Sequence, residues 1–133
     1  MDADLIIIGS GVGGASLAAA LAPSGMKILV LEKGERLQPS PEARDDKAIF
    51  LRGHFAPTEE WMGSDGKPFV AGNYYVVGGN TKFYGGVMYR FREADFAPRA
   101  HMEGTAPGWP LAYGDLAPWY DAAERLYRVR GAA

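Results

Sequence analysis

Leu5-Ile6-Ile7-Ile8-Gly9-Ser10-Gly11-Val12-Gly13-Gly14 decides how the rest of the chain is read. Four consecutive apolar residues ended by glycine suit a strand buried on both faces, as in a parallel sheet. The glycines at 9, 11 and 14 then fit G-x-G-x-x-G. Beyond them, Ala15, Ala18, Leu21 and Ala22 recur at helical spacing until Pro23 and Gly25 stop the segment. Lys27-Ile28-Leu29-Val30-Leu31-Glu32 is a second short apolar run, closed by Gly34. Strand, helix, strand over residues 3–34 is one βαβ unit, with a right-handed crossover expected.

The glycine pattern is weak by itself and gains weight from this setting, after a strand and at the start of a helix. Gly9 can make the tight turn, Gly11 removes a side chain where a pyrophosphate must approach the backbone, and Gly14 permits close helix–strand packing. The helix N-terminus offers free N–H groups and the positive end of its dipole. Glu32 ends the second strand, where a dinucleotide fold places a carboxylate to accept from ribose hydroxyls. A carboxylate there repels a 2′-phosphate, so NADP is disfavoured, although Lys33 beside it weakens the repulsion.

Glycine takes 18 and proline 9 of the 133 residues, about 20 % against a background of roughly 12 %. The glycines have no three-residue period, which excludes collagen. The 12 % aromatic content and net charge of −2 disfavour disorder, and a charge so near zero argues against a dedicated nucleic-acid binder. No cysteine is present, so disulfides, thiolate metal sites and a cysteine nucleophile are excluded. No apolar stretch reaches membrane-spanning length, and no basic region precedes the run at Leu5. A cytoplasmic protein is expected.

From residue 35 to 72 periodicity fades and prolines punctuate a long loop region, with a short helix around 43–51 and a turn at Ser64-Asp65-Gly66. Such a loop is uncommon unless it is functional. A second glycine cluster follows: Val77-Gly78-Gly79-Asn80-Thr81-Lys82-Phe83-Tyr84-Gly85-Gly86. It can bring backbone N–H groups up to a polar ring or phosphate without Cβ clashes. A nicotinamide dehydrogenase has no need of a second glycine-rich clamp so far from the first, whereas a two-ended cofactor such as FAD does. Residues 87–91 are expected to be extended and the stretch before Gly108 a loop. Asp115 reads as the N-cap of a helix over 115–130 that carries Leu116, Trp119, Tyr120, Ala123, Leu126 and Tyr127 on one face.

The first glycine motif, with Leu29-Val30-Leu31-Glu32-Lys33-Gly34, resembles the amino-terminal flavin motif of the glucose–methanol–choline (GMC) oxidoreductases. Residues 77–86 resemble that family's second flavin motif. Gly108-Trp109-Pro110-Leu111-Ala112-Tyr113-Gly114-Asp115-Leu116, with Trp119-Tyr120-Asp121 and Ala123-Glu124, resembles the stretch that follows it in many bacterial members. The resemblance implies an α/β, Rossmann-type FAD-binding domain, incomplete in this chain, with the second flavin motif over 77–91 and no substrate domain. It implies that Gly9, Ser10, Gly11, Val12, Gly13 and Gly14 hold the FAD pyrophosphate and that Glu32, beside Lys33, holds the adenosine ribose. Val77, Gly78, Gly79, Asn80, Thr81, Tyr84, Gly85 and Gly86 would run past the isoalloxazine and ribityl region. Two positions depart from the family pattern. Asn80 replaces a common serine, and Tyr84 stands where many members have asparagine and some a flavin-linked histidine.

The implied activity is oxidation of a small-molecule alcohol by hydride transfer to flavin, with the catalytic histidine motif lying far downstream of anything matched here. His54 and His101 lie in loop-like sequence and read as surface residues. Asp45-Asp46 and Glu59-Glu60 lack partners at metal-ligand spacing, and the aromatic pairs lack a basic stripe for nucleic acid. The expected protein is the FAD-binding portion of a longer enzyme, inactive alone, completed by a carboxy-terminal region or a second chain, with no membrane or nucleic-acid partner. The alternatives are a non-catalytic cofactor-binding module or truncated product and, with less support, an NAD-binding domain.

Overall fold

The computed structural model describes residues 2–131. The chain divides into two compact units, the first running to Gly85 and the second beginning at Gly86.

In the first unit, β1 (Leu5–Ile8), α1 (Val12–Leu21) and β2 (Ile28–Leu31) form the βαβ element. The strands pair in parallel, Leu5 opposite Ile28 and Ile8 opposite Leu31. Gly9 makes its turn with φ +89°, a left-handed conformation that disfavours any side chain. α1 lies close to β1 because Gly14 has no Cβ: one built there would stand 2.0 Å from the Gly9 carbonyl oxygen and 3.1 Å from Ile7 Cγ2. Ile7 faces the helix and is buried, but Ile6 is 56 % and Ile8 86 % exposed. The expectation of a strand buried on both faces is therefore corrected. Alternating side chains point to opposite faces, and among the described residues β1 shares its sheet with β2 alone.

The region 35–72 holds more structure than a loop. A π-type turn at Lys47–Leu51 buries Ala48 and Ile49. β3 (Glu60–Met62) and β4 (Pro68–Val70) form an antiparallel hairpin with Trp61 opposite Phe69. Its turn is the expected Ser64-Asp65-Gly66: Gly66 has φ +75° and the Asp65 carboxylate accepts from Lys67 N–H at 3.1 Å. Phe83 is buried, stacked on Phe55 at 5.2 Å and edge-on to Tyr74 at 4.7 Å.

The second unit contains the short hairpin β5 (Arg99–His101) and β6 (Gly104–Ala106), followed by α2 (Tyr113–Tyr127). β6 occupies part of the stretch expected to be a loop, and residues 87–91 join no strand. The N-cap of α2 is Ala112 rather than Asp115. Asp115 sits three residues further in, where its carboxylate accepts from Ala112 N–H at 2.8 Å, the reach-back half of a capping box. The helix thus starts two residues before, and stops three residues before, the expected bounds of 115–130. Phe96 is buried against Trp109 and Tyr113. Arg90 forms a two-pronged ion pair with Glu124, at 2.7 and 2.5 Å, and reaches Asp121 at 2.6 Å.

Apolar burial is thin. Among the described residues the buried apolar side chains are Ile7, Ala48, Ile49, Phe83 and Phe96. α1 is apolar on every side yet buries none of its residues, a pattern found in helices enclosed within larger proteins.

Candidate dinucleotide site

The two glycine segments, some 65 residues apart in sequence, meet in space. The Ser10 hydroxyl accepts from Gly78 N–H at 2.9 Å, and the Thr81 hydroxyl accepts from Val12 N–H at 3.1 Å. A Cβ on Gly11 would lie 3.7 Å from both the Gly78 oxygen and Thr81 Oγ1. Gly11, Ser10, Val12, Gly78 and Thr81 therefore border one location. Gly11 caps α1 without a side-chain hydrogen bond, and no acidic residue stands in the first turn. Thr81 supplies the cap from across the chain instead, satisfying one of the donors that every helix N-terminus leaves open. Gly78 needs its φ of +92° to enter the 3₁₀ turn Gly79–Lys82.

Glu32 follows β2 directly. Its Oε2 accepts from Ser10 N–H at 2.9 Å and from the Ser10 hydroxyl at 2.6 Å, and its Oε1 accepts from Gly34 N–H at 2.9 Å. These bonds, the Gly34 amide first and Ser10 next, hold its carboxyl down at about 2. The group is ionised throughout the physiological range and acts only as an acceptor. A carboxylate has about four acceptor positions, and these bonds use most of them.

Lys33 turns to Glu59, at 2.5 Å, and lies 3.9 Å over the Tyr75 ring. The Glu59 carboxylate keeps the ammonium pKa above its usual value and is itself held low by Lys33 and then by the Tyr75 hydroxyl. These three side chains, with Phe55 and Pro57, line an open pocket of about 530 Å³.

Asn80 is committed internally: its oxygen accepts from Tyr74 N–H at 2.7 Å and its amide donates to the Gly72 carbonyl at 3.1 Å. Val77 N–H donates to the Glu35 carbonyl at 2.9 Å. Gly79 donates to the Val76 carbonyl at 2.7 Å. Gly13 has open space where a Cβ would be. Tyr84 is 54 % exposed, and a Cβ on Gly85 would meet open space; the bonds that join the two glycine segments are those of Ser10 with Gly78 and of Val12 with Thr81. Gly86 opens the second unit. The contribution of Gly34 beyond ending a strand was not foreseen. A Cβ there would fall 2.2–2.4 Å from the Tyr75–Val76 peptide. Its bareness lets that peptide lie against the end of β2 and deliver the second glycine segment. The signal was present as a glycine three residues after the strand.

His54 packs edge-on to Phe55, and in the second unit His101 Nδ1 accepts from Glu103 N–H at 3.3 Å. The described residues include no His/Cys/Asp/Glu group suited to a metal ion, and no helix among them is long and apolar enough to cross a membrane.

Residues 7–47 match the family described as an NAD(P)-binding Rossmann-like domain. Over 96 % of its length the chain is 36 % identical to paromamine 6'-oxidase of Streptomyces fradiae and 33 % identical to 6'''-hydroxyparomomycin C oxidase of Streptomyces lividus, covering 24 % and 23 % of those proteins. It is 31 % identical to 2-methyl-1,2-propanediol dehydrogenase of Mycolicibacterium austroafricanum, covering 96 % of this chain and 25 % of that one. The crystal structure of pyridoxine 4-oxidase from Mesorbium loti superimposes on 71 % of the chain, and 20 % of its own, with a TM-score of 0.51 at 24 % identity. The chain spans about a quarter of the length of these curated relatives and has the Rossmann-type fold.

Proposed function

We propose, for a chain that corresponds to the amino-terminal part of GMC-type oxidoreductases, that it is the FAD-binding portion of an enzyme oxidising a CH–OH group. The observation that carries this reading is the meeting of Ser10 with Gly78 and of Val12 with Thr81. A mononucleotide would need one glycine turn, whereas two converging segments suit a cofactor with a phosphate centre and two ends. Gly9, Ser10, Gly11, Val12, Gly13 and Gly14, at the start of α1, would hold the pyrophosphate, with the Val12 N–H exchanging Thr81 for a phosphate oxygen. Glu32 would take the ribose, beside the Lys33 pocket. Val77, Gly78, Gly79, Asn80, Thr81, Tyr84, Gly85 and Gly86 would form the wall toward the flavin.

The bound flavin would supply the hydride acceptor. This chain's residues would bind and orient it. The resemblance assigns the base and the alcohol pocket to further sequence, with neither His54 nor His101 in the motif that would carry the base. The chain alone binds the cofactor and turns over no alcohol.

The test is a titration of the purified protein with FAD and separately with NADH, followed by flavin fluorescence quenching and nicotinamide fluorescence. Saturable binding of FAD is expected. Binding of NADH without FAD would replace this reading with the nicotinamide alternative, which the match at residues 7–47 favours. Alcohol-dependent dye reduction by residues 1–133 would overturn the assignment of the base to further sequence.

A further inference from the structure

Ser10 stands in a variable position of the glycine motif, yet its hydroxyl both donates and accepts inside the protein. It has one hydrogen, which goes to Glu32 Oε2 at 2.6 Å, and it accepts from Gly78 N–H at 2.9 Å. The direction is forced. An ionised carboxylate only accepts and a backbone N–H only donates, so the serine must face its proton to Glu32 and its lone pair to Gly78. The Ser10 backbone N–H adds a second bond to the same Oε2. Three segments far apart in sequence thus converge on one hydroxyl.

We infer that Ser10 is a positioning residue whose hydroxyl ties the Glu32 carboxylate to the Gly78 backbone, so that the adenosine-side acceptor and the second glycine segment are set as one unit. Its hydroxyl acts through Glu32 and Gly78. The consequence for the cofactor rests on the dinucleotide reading; the coupling itself does not. Gly78 has φ +92°, a conformation open to glycine but not held by it, since glycine visits both signs of φ freely. The bond to Ser10 selects it. Thr81 N–H in turn donates to the Gly78 carbonyl at 3.1 Å, so the placement of Thr81 over α1 inherits the choice made at Gly78.

Amide hydrogen exchange on the cofactor-free full chain tests this directly. Ser10→Ala should speed exchange at Gly78 by about tenfold, the scale of one lost hydrogen bond, and leave the β1, α1 and β2 amides within twofold. Ser10→Thr, which keeps the hydroxyl, should restore protection. Glu32→Ala removes nothing that touches Gly78, yet should also speed its exchange by freeing the Ser10 hydroxyl to turn. Unchanged Gly78 exchange in either alanine variant overturns the inference. So does equal acceleration through β1 and α1, or a threonine variant as fast as the alanine one. FAD titration of the wild-type protein is scored separately: normal Gly78 protection with no FAD binding removes the functional reading and leaves the coupling standing.

Discussion

Replacing Gly14 by alanine tests the packing on which the whole site depends. The added Cβ would stand 2.0 Å from the Gly9 carbonyl oxygen, 3.2 Å from the Gly9 carbonyl carbon and 3.1 Å from Ile7 Cγ2. An ordinary carbon–oxygen contact is about 3.3 Å, so α1 and the Gly9 turn must separate by more than about 1 Å. The nearest obstacle is backbone, which cannot swing aside as a side-chain tip would, and the cost belongs at the upper end of the overpacking range, about 3 kcal/mol. Gly13 is the internal control. It is in the same helix, and nothing lies within 4 Å of its Cβ position, so Gly13→Ala gains about 0.5–1 kcal/mol from reduced backbone entropy. Neighbouring glycines should therefore respond with opposite signs, nearly 4 kcal/mol apart. Urea and thermal denaturation of the purified protein measure both; the Gly14 variant should melt about 10 °C lower for a chain of this size. A Gly14→Ala protein as stable as Gly13→Ala would refute the close seating of α1 on β1.

Gly11→Ala meets only ordinary contacts at 3.7 Å, so folding stability should stay within about 0.5 kcal/mol while dinucleotide affinity falls by about tenfold or more, because the methyl occupies the approach to the helix N-terminus; paired denaturation and FAD titration separate the two effects. Gly34→Ala pushes into the Tyr75–Val76 peptide at 2.2–2.4 Å and should free the Val77 amide from the Glu35 carbonyl, read as faster hydrogen exchange at Val77 with β1 unaffected. Glu32 titrates near 2 when folded, against 4.5 for the unperturbed group. Its stabilisation is complete above pH 4.5 and is lost as the pH falls toward 2. The shift would amount to about 3 kcal/mol if fully realised, and solvent screening of this half-buried group reduces it to about 1–2 kcal/mol. The stability gap between wild type and Glu32→Gln should be constant from pH 7 to 5 and shrink below that; a gap that persists unchanged at pH 3 would contradict the bonding described.

The βαβ element was legible because β1 and β2 are continuous apolar runs with glycines at their ends, signals that survive without knowledge of partners. The hairpin of Glu60–Met62 and Pro68–Val70 was not. Three-residue strands are shorter than any usable period, Pro68 argues against a strand, and only the Asp65-Gly66 turn announced itself. At Asp115 the residue type was right and the position wrong, since a carboxylate at either the N-cap or three residues later serves a helix start. The burial expected for Ile6 and Ile8 was read from their apolarity. Burial depends on what lies across the sheet, which no local pattern encodes. The same holds at the site. Gly11 and Gly14 were readable as bare positions, whereas the actual partners of Ser10, Asn80 and Thr81 depend on contacts spanning 6 to 69 residues.

The Ser10–Glu32–Gly78 relay bears on attempts to re-engineer this protein's cofactor preference. Exchanging a strand-end carboxylate for a neutral or basic residue is the obvious route to accepting a phosphorylated ribose. Here that single exchange would also remove the partner of Ser10, loosen Gly78 and disturb Thr81 at the opposite side of the site. A library randomised at position 32 alone would therefore be selected largely for repair of the second glycine segment. Positions 10 and 32 should be varied together, with Gly78 kept for its φ of +92°.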